Sequence, residues 1–364
     1  MGRKAIFIAA TGQNVGKTTI CLGLISGFKK KTPRLGFMKP VGQQHVKTPE
    51  GLLVDKDVVL FKEYFRLPAS YETMSPLIVP AGFTRDYLDG KVSTSQMREK
   101  ILSSFEEIYT KNDFTIVEGT GHVGVGSILN LNNAEVAALL KLDVVLIAGG
   151  GLGSTFDELT LNKALLDQYG VKIRGVILNK VHEEKREMVI DYMTKGLARL
   201  GIPLLGCIPF SHYLSTSSME DFELLFHTKL QSGEEFRNRH FETIRLVATS
   251  VETFKELILP NQLIVTPATR EDIVYALIER RSQLHKEVEH GVILTGRHPP
   301  TPSLILSLQR ARIPALYAAQ SSFNAMQMIT SFIAKTRKED VAKVEKAIRL
   351  VEGHLDFSSL YNKI

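Results

Sequence analysis

Short apolar runs alternate along this chain with longer amphipathic stretches, and that alternation limits the possible folds more than any other feature. The runs are AIFIAA, LGFMKPV, FTIVEG, VVLIAGG, RGVILNKV and PLLGCIPF. Helical patterns lie between them, among them KTTICLGLISGFKK, SQMREKILSSFEEIYTK and FDELTLNKALLDQYG. The runs are almost wholly apolar, the pattern of strands covered on both faces. Together these features predict an α/β fold, a mostly parallel sheet with helices on both faces.

The character changes after Pro209. A polar, helical stretch interrupted by Gly233 leads into a second alternation through IRLVATS, QLIVTPATREDIVYALIERR, GVILTGRHPPTPSLILSLQRARI and PALYAAQSSFNAMQMITSFIAK. The chain of 364 residues has room for about two cores. The expected division is a first domain over 1–210, a second, smaller α/β domain over 211–335 and a helical tail over 336–364. The tail reads as one helix and a short extension.

Bulk chemistry excludes several classes. Hydrophobic residues make up 44% and charged residues 23%, ordinary values for a soluble globular protein. The net charge of +6 is dispersed. Its densest basic run, FKKKTPR from Phe28 to Arg34, has no interleaved aromatic residues and reads as a solvated helix end, not a nucleic-acid surface. Two cysteines outside any C-x-x-C, Cys21 and Cys207, allow neither a disulfide framework nor a cysteine zinc site. The histidines form no metal-binding spacing. No run approaches the ~18 apolar residues of a membrane span. No apolar segment precedes the first strand as in a secretory leader, and Ile6 stands where N-myristoylation requires a hydroxyl. The expectation is a cytoplasmic protein with neither nucleic-acid nor membrane partners.

The stretch KAIFIAATGQNVGKTTICLGLISGF puts a glycine-bearing turn between a strand and a helix, followed by Lys17, Thr18 and Thr19. A P-loop reads G-x-x-x-x-G-K-[ST]. Here Thr11 fills the first glycine position and Gly12 follows it. The physical requirements survive that change: inward backbone N–H groups, a helix N-terminus behind them and a lysine that reaches the outer phosphates. Gly12 and Gly16 supply permissive backbone. The expected nucleotide cradle is Thr11, Gly12, Gln13, Asn14, Val15, Gly16, Lys17, Thr18 and Thr19, with the Thr18 hydroxyl suited to Mg²⁺. A second motif, GTGHVG, formally satisfies the dinucleotide pattern at Gly119, Gly121 and Gly124, but position 139 holds Leu139 where an acid is needed, and NAD binding is rejected.

ATGQNVGKTT resembles the G-T-D-T-x-V-G-K-T loop of dethiobiotin synthetase and its relatives, with Ala10 at that family's first glycine and Gly12 at its aspartate. The signature lysine of partition-type ATPases is replaced by Gly12, which disfavours that branch. GFMKPVGQQ is similar to the family's K-P-V segment, which implies that Lys39 points into the site beside the phosphates. VDKDVVLF resembles the segment bearing a magnesium-binding aspartate; Asp57 fits best, with Asp55 as the alternative, and in the other reading an aspartate here is only a helix cap. FTIVEGTG resembles V-E-G-A-G-G and implies Glu118 near the metal. GVILNKV matches the strand ending in Asn, so Asn179 reads either as an adenine-edge contact or as a turn residue. The resemblance thus implies ATP and Mg²⁺, Lys17 and Lys39 as catalytic residues, and Thr18, Asp57 and Glu118 around the metal. The acceptor it implies is a small carboxylate or carbamate. Gln43 stands where the family has a substrate-side serine, and His122 where it has a glycine.

The second alternation, over Leu214 to Ala334, resembles the DRTGG domain that follows a dethiobiotin-synthetase-like domain in some phosphate acetyltransferases. Thr269 replaces the motif's Asp, Arg270 is kept, and Thr295, Gly296 and Arg297 stand for T-G-G. Arg270, Thr295 and Arg297 form a ligand site in one reading; in the other the domain is a structural or dimerising module. Two functions follow: an ATP-dependent ligase-type enzyme acting on a small acid, or a non-catalytic nucleotide-sensing module that binds a regulatory ligand. The relatives suggest a homodimer.

Overall fold

The computed structural model describes residues 4–283 and 290–363. The chain forms two compact units, one of Met1–Ser211 with Thr336–Ile364 and one of His212–Lys335.

The first unit is built on six parallel strands: β1 (Lys4–Ala10), β2 (Leu35–Met38), β3 (Phe114–Glu118), β4 (Val144–Ala148), β5 (Ile173–Val181) and β6 (Leu204–Pro209). Their order is β6-β5-β4-β1-β3-β2. The chain runs from β1 out to β2 and β3 on one side, then crosses to β4, β5 and β6 on the other. The order therefore reverses beside β1, and such a reversal opens a crevice at the carboxyl ends of the strands. The loop after β1 leads straight into helix α1 (Lys17–Lys29) at that point. Every residue of β2, β3 and β4 is buried, as their almost wholly apolar runs require.

The tail is more helical than its sequence pattern suggests and belongs to this unit. A helix over Val341–Glu352 lies along α1, and the expected extension is itself a helix over Phe357–Lys363. This arrangement explains why α1 is apolar almost all round: it is covered by the sheet on one side and by the tail on the other. Two glycines of α1 make the seat. A Cβ on Gly23 would run into Val351, and one on Gly27 into the ring of Phe357. Lys4 Nζ donates to the Tyr361 carbonyl at 2.6 Å, and Lys30 pairs with Glu352 at 2.7 Å.

The second unit has a five-stranded sheet of β7 (Leu230–Ser232), β8 (Thr243–Leu246), β9 (Gln262–Pro267), β10 (His290–Thr295) and β11 (Ala315–Ala318), in the order β7-β11-β10-β9-β8. Only β7 runs antiparallel to its neighbour. Successive residues of β9 face opposite cores. Ile264 packs with Phe254, Leu277 and Leu304, whereas Leu263 and Val265 pack with Phe222 and Leu316. Among the described residues no helix is long and apolar enough to cross a membrane.

The tail seat gives a sign-reversing test. Gly→Ala inside a helix ordinarily stabilises by about 1 kcal/mol. Gly27→Ala should instead destabilise the chain by about 1–3 kcal/mol in urea unfolding, because the methyl overpacks Phe357. In a Phe357→Ala background the same change should become stabilising.

Candidate functional site

The loop after β1 takes its shape from two left-handed residues, Asn14 (φ 57°) and Gly16 (φ 107°). The sequence reading put the permissive positions at Gly12 and Gly16. Gly12 does not have positive φ; Asn14 does, and Asn tolerates that region through its short polar side chain. Gly16 is irreplaceable for a second reason: a Cβ there would strike the Asn179 amide. Gly16 is the N-cap of α1, and no side chain caps that helix, so its first-turn N–H groups are available to an anion. Gln13 and Asn14 are exposed at the crest, Val15 and Thr19 are half-buried, and Thr11 is buried.

Neighbouring side chains brace this loop. Asn179 Nδ2, at the end of β5, donates to the Val15 carbonyl at 2.7 Å, and Lys180 Nζ donates to the Asn14 carbonyl at 2.7 Å. In this structure Asn179 therefore holds the loop's shape. The Thr11 hydroxyl donates to Glu158 at 3.0 Å. Two asparagines that the sequence reading missed do comparable work. Asn162 lies on helix α2 (Gly153–Gln168), where its Nδ2 donates to the Thr11 carbonyl and its Oδ1 accepts from the Val123 N–H, each at 3.0 Å. It thereby ties the phosphate loop to the loop after β3. Asn133 folds that second loop by donating to the carbonyls of Thr120 (2.8 Å) and His122 (2.7 Å) and accepting from the Thr120 N–H. Asn162 had a legible signal: it interrupts the buried stripe of Leu159 and Leu166, where an apolar residue belongs.

The charged groups converge behind the loop. Lys17 is buried, and its Nζ donates to the Gly121 carbonyl at 2.5 Å. Burial pulls its pKa below the ordinary lysine value, against the opposing pull of Glu118. The Thr18 hydroxyl donates to Glu118 Oε1 at 3.1 Å. Lys39, at the end of β2, is buried among three carboxylates: it bonds to Asp57, lies 3.1 Å from Asp55 Oδ1 and 3.9 Å from Glu118 Oε1. Burial alone would lower the Lys39 pKa, but Asp57, Asp55 and Glu118 outweigh it and raise it. Both aspartates come from one short stretch. Asp55 caps the helix Lys56–Phe65 by accepting from the Asp57 N–H at 2.9 Å, and Asp57 sits in that helix's first turn. The helix-cap role foreseen for an aspartate here falls to Asp55.

Burial pushes the Glu118 pKa up to about 7; Lys39 opposes the shift and Asp57 reinforces it. Burial likewise raises the Asp55 pKa against the pull of Lys39. Cys21 is fully buried, and burial and Glu118 hold its thiol un-ionised. Among the described residues no three His, Cys, Asp or Glu side chains form a metal cage; the carboxylates face Lys39 instead. Magnesium does not require such a cage, because it takes one or two carboxylates and completes its shell with water and phosphate. The donor set suits it: Asp55 Oδ2 and Glu118 Oε2 are buried oxygens without a hydrogen-bond partner.

Arg270 pairs with Asp272 at 2.8 Å and donates to the Thr249 carbonyl, Thr295 is buried against Ser322 at 2.6 Å, and Arg297 is exposed.

A family model described as an AAA domain matches residues 4–218, and the DRTGG domain model matches residues 225–332. The phosphate acetyltransferase of Pseudomonas aeruginosa is 28% identical over 97% of this chain and 51% of its own length. The chain thus spans about half the length of the curated phosphate acetyltransferases it matches. The ATP-dependent dethiobiotin synthetase of Methanocaldococcus jannaschii is 28% identical over 62% of this chain and 100% of its own length. Among solved structures, a plasmid partition protein from Borrelia burgdorferi aligns over 58% of this chain and 91% of its own, with 14% identity and a TM-score of 0.38.

The raised pKa of Glu118 has a signed consequence. The folded chain holds this proton more tightly than the unfolded chain, so the contribution to stability is full below the ordinary glutamate value and is lost as pH rises through about 7. Glu118→Gln removes that loss. Between about pH 5 and about pH 8, without metal or nucleotide, the parent should lose on the order of 3 kcal/mol more stability than the variant. Urea midpoints at the two pH values measure this, and parallel pH dependences would contradict it.

Proposed function

The chain belongs to the AAA domain family, as a dethiobiotin-synthetase-like P-loop unit joined to a DRTGG domain, and from that premise we propose that it binds ATP with Mg²⁺ and phosphorylates a small carboxylate or carbamate. One observation carries the reading: Lys39, Glu118 and Thr18 converge beside the uncapped N-terminus of α1.

The residue roles follow from phosphoryl-transfer physics, which is mostly positioning and charge neutralisation. The amides of Gly12 to Thr18 and the α1 N-terminus hold the polyphosphate. Lys17 exchanges its bond to Gly121 for the outer phosphates. Thr18, Glu118 and Asp57, with Asp55 as the alternative aspartate, would hold Mg²⁺, which when bound would neutralise phosphate charge. Lys39 steadies the anionic acceptor against the γ-phosphate, so that an acceptor oxygen bonds to phosphorus as ADP leaves. The resemblance supports Asn179 at the adenine edge.

A second reading has its own support. The chain aligns with about half of each phosphate acetyltransferase it matches, and it departs from the ligase pattern at Gln43 and His122 and from the second motif at Thr269. In that reading the P-loop unit senses nucleotide, and a partner responds.

A screen of small carboxylic and carbamic acids for stimulated ADP formation separates the two. The ligase reading predicts acceptor-dependent ADP release that falls by at least about 100-fold in Lys39→Ala, the scale of lost electrostatic transition-state stabilisation. ATP turnover indifferent to every acid, or none at all, supports the sensing reading.

A further inference from the structure

Lys39 sits where a divalent cation would neutralise the same carboxylates. Its side chain is 8% exposed, and Asp55, Asp57 and Glu118 are 0%, 7% and 1% exposed. The second buried ammonium, that of Lys17, is turned to the Gly121 carbonyl. Among the described residues, Lys39 is the cation paired with all three carboxylates. It leaves them incompletely satisfied: Asp55 Oδ2 and Glu118 Oε2 are buried without a partner. A buried carboxylate with an unfilled acceptor position is costly, and a cation is the group that relieves it.

We propose that the Lys39 ammonium is an internal counter-ion that occupies the carboxylate seat in the nucleotide-free chain, so that a divalent cation enters only as the ammonium leaves. The inference deepens the Mg–nucleotide reading of this site and rests on it. A metal alone must displace a tethered cation from its ion pairs, so it binds weakly. A polyphosphate on the loop offers the departing ammonium a new anionic partner, and the same movement turns Lys39 toward the γ-phosphate. Metal and nucleotide therefore strengthen each other's binding, as linkage requires of two ligands that favour one arrangement. One lysine in this way serves as guard of the empty site and as acceptor-side cation of the loaded one.

The test uses Mn²⁺ alone on the nucleotide-free full chain, with free ion counted by electron paramagnetic resonance. Lys39→Met should bind Mn²⁺ at least about tenfold more tightly than the parent, because the tethered competitor is gone. Lys39→Arg, which keeps the charge, should stay as weak as the parent. Equal binding by Lys39→Met and the parent, or none by either, overturns the proposal. Lys39→Met leaves three buried carboxylates uncompensated, so it is also melted with and without Mn²⁺: folding restored by the ion supports the proposal, and a chain that stays unfolded in its presence counts against it. The parent gives an independent readout through reductive methylation and peptide mass spectrometry. Labelling of Lys39 should rise several-fold as Mn²⁺ is added while that of exposed Lys111 stays constant. Unchanged Lys39 labelling at a Mn²⁺ level that raises the melting temperature overturns it. A parent that binds Mg·ATP while Lys39→Met gains nothing contradicts this inference alone; a folded parent that does not bind Mg·ATP contradicts the reading of the site beneath it.

Discussion

Buried ion pairing between one ammonium and three carboxylates is the constraint around which the first unit is organised. Lys39 meets Asp55, Asp57 and Glu118 in a region almost closed to water. Isolated charges do not persist in such a place, so each element that brings one must arrive in register with the others. β2 delivers Lys39 and β3 delivers Glu118, and these strands are direct neighbours in the sheet. The helix that starts at Lys56 delivers both aspartates, and Gly42 lets Asp55 approach, since a Cβ there would lie 2.8 Å from the Asp55 side chain. A cluster with more carboxylates than ammonium groups is poorly balanced when empty and well suited to receiving a cation with a polyanion.

The phosphate loop is held to that cluster by hydrogen bonds from two neutral amides and one ammonium. Asn162 joins the loop's start to the segment after β3, Asn179 joins its end to β5, and Lys17 spans to Gly121. The asparagine bonds carry no net charge of their own. They fix geometry without adding to the electrostatic imbalance, as a preorganised anion site requires. The tail helices contribute from the opposite side, because their seat on Gly23 and Gly27 fixes the helix whose N-terminus closes the loop after β1.

Much of this was legible in the sequence, and the parts that were not share a cause. The nearly unbroken apolar runs pointed to the parallel sheet, because a strand buried on both faces admits few polar residues; Thr115 and Glu118 of β3 are the exceptions. Lys17 and Thr18 were readable because they open the helix that follows a strand, where local pattern fixes position, whereas Glu118 came from the resemblance to V-E-G-A-G-G. Contacts between distant segments were not readable. Lys39 was expected beside phosphates, but its pairing with both aspartates depends on how the stretch between them folds back. Asn133 looks like any helix-start residue until its partners at Thr120 and His122 are known. Gly23 and Gly27 read as tolerated helix glycines, although they are the floor of the tail's seat. The left-handed turn at Asn14 was misplaced to Gly12 because glycine is the commoner answer to that backbone demand.

The proposed polyphosphate seat is the row of amides between Ala10 and Thr18, with Lys17 behind them. Isothermal titration of Mg·ATP into the folded parent and into Lys17→Ala measures this most directly. Saturable heat from the parent and its loss in the variant are the predicted result. Silence from a parent whose circular dichroism shows it folded, or equal heat from both proteins, would contradict it.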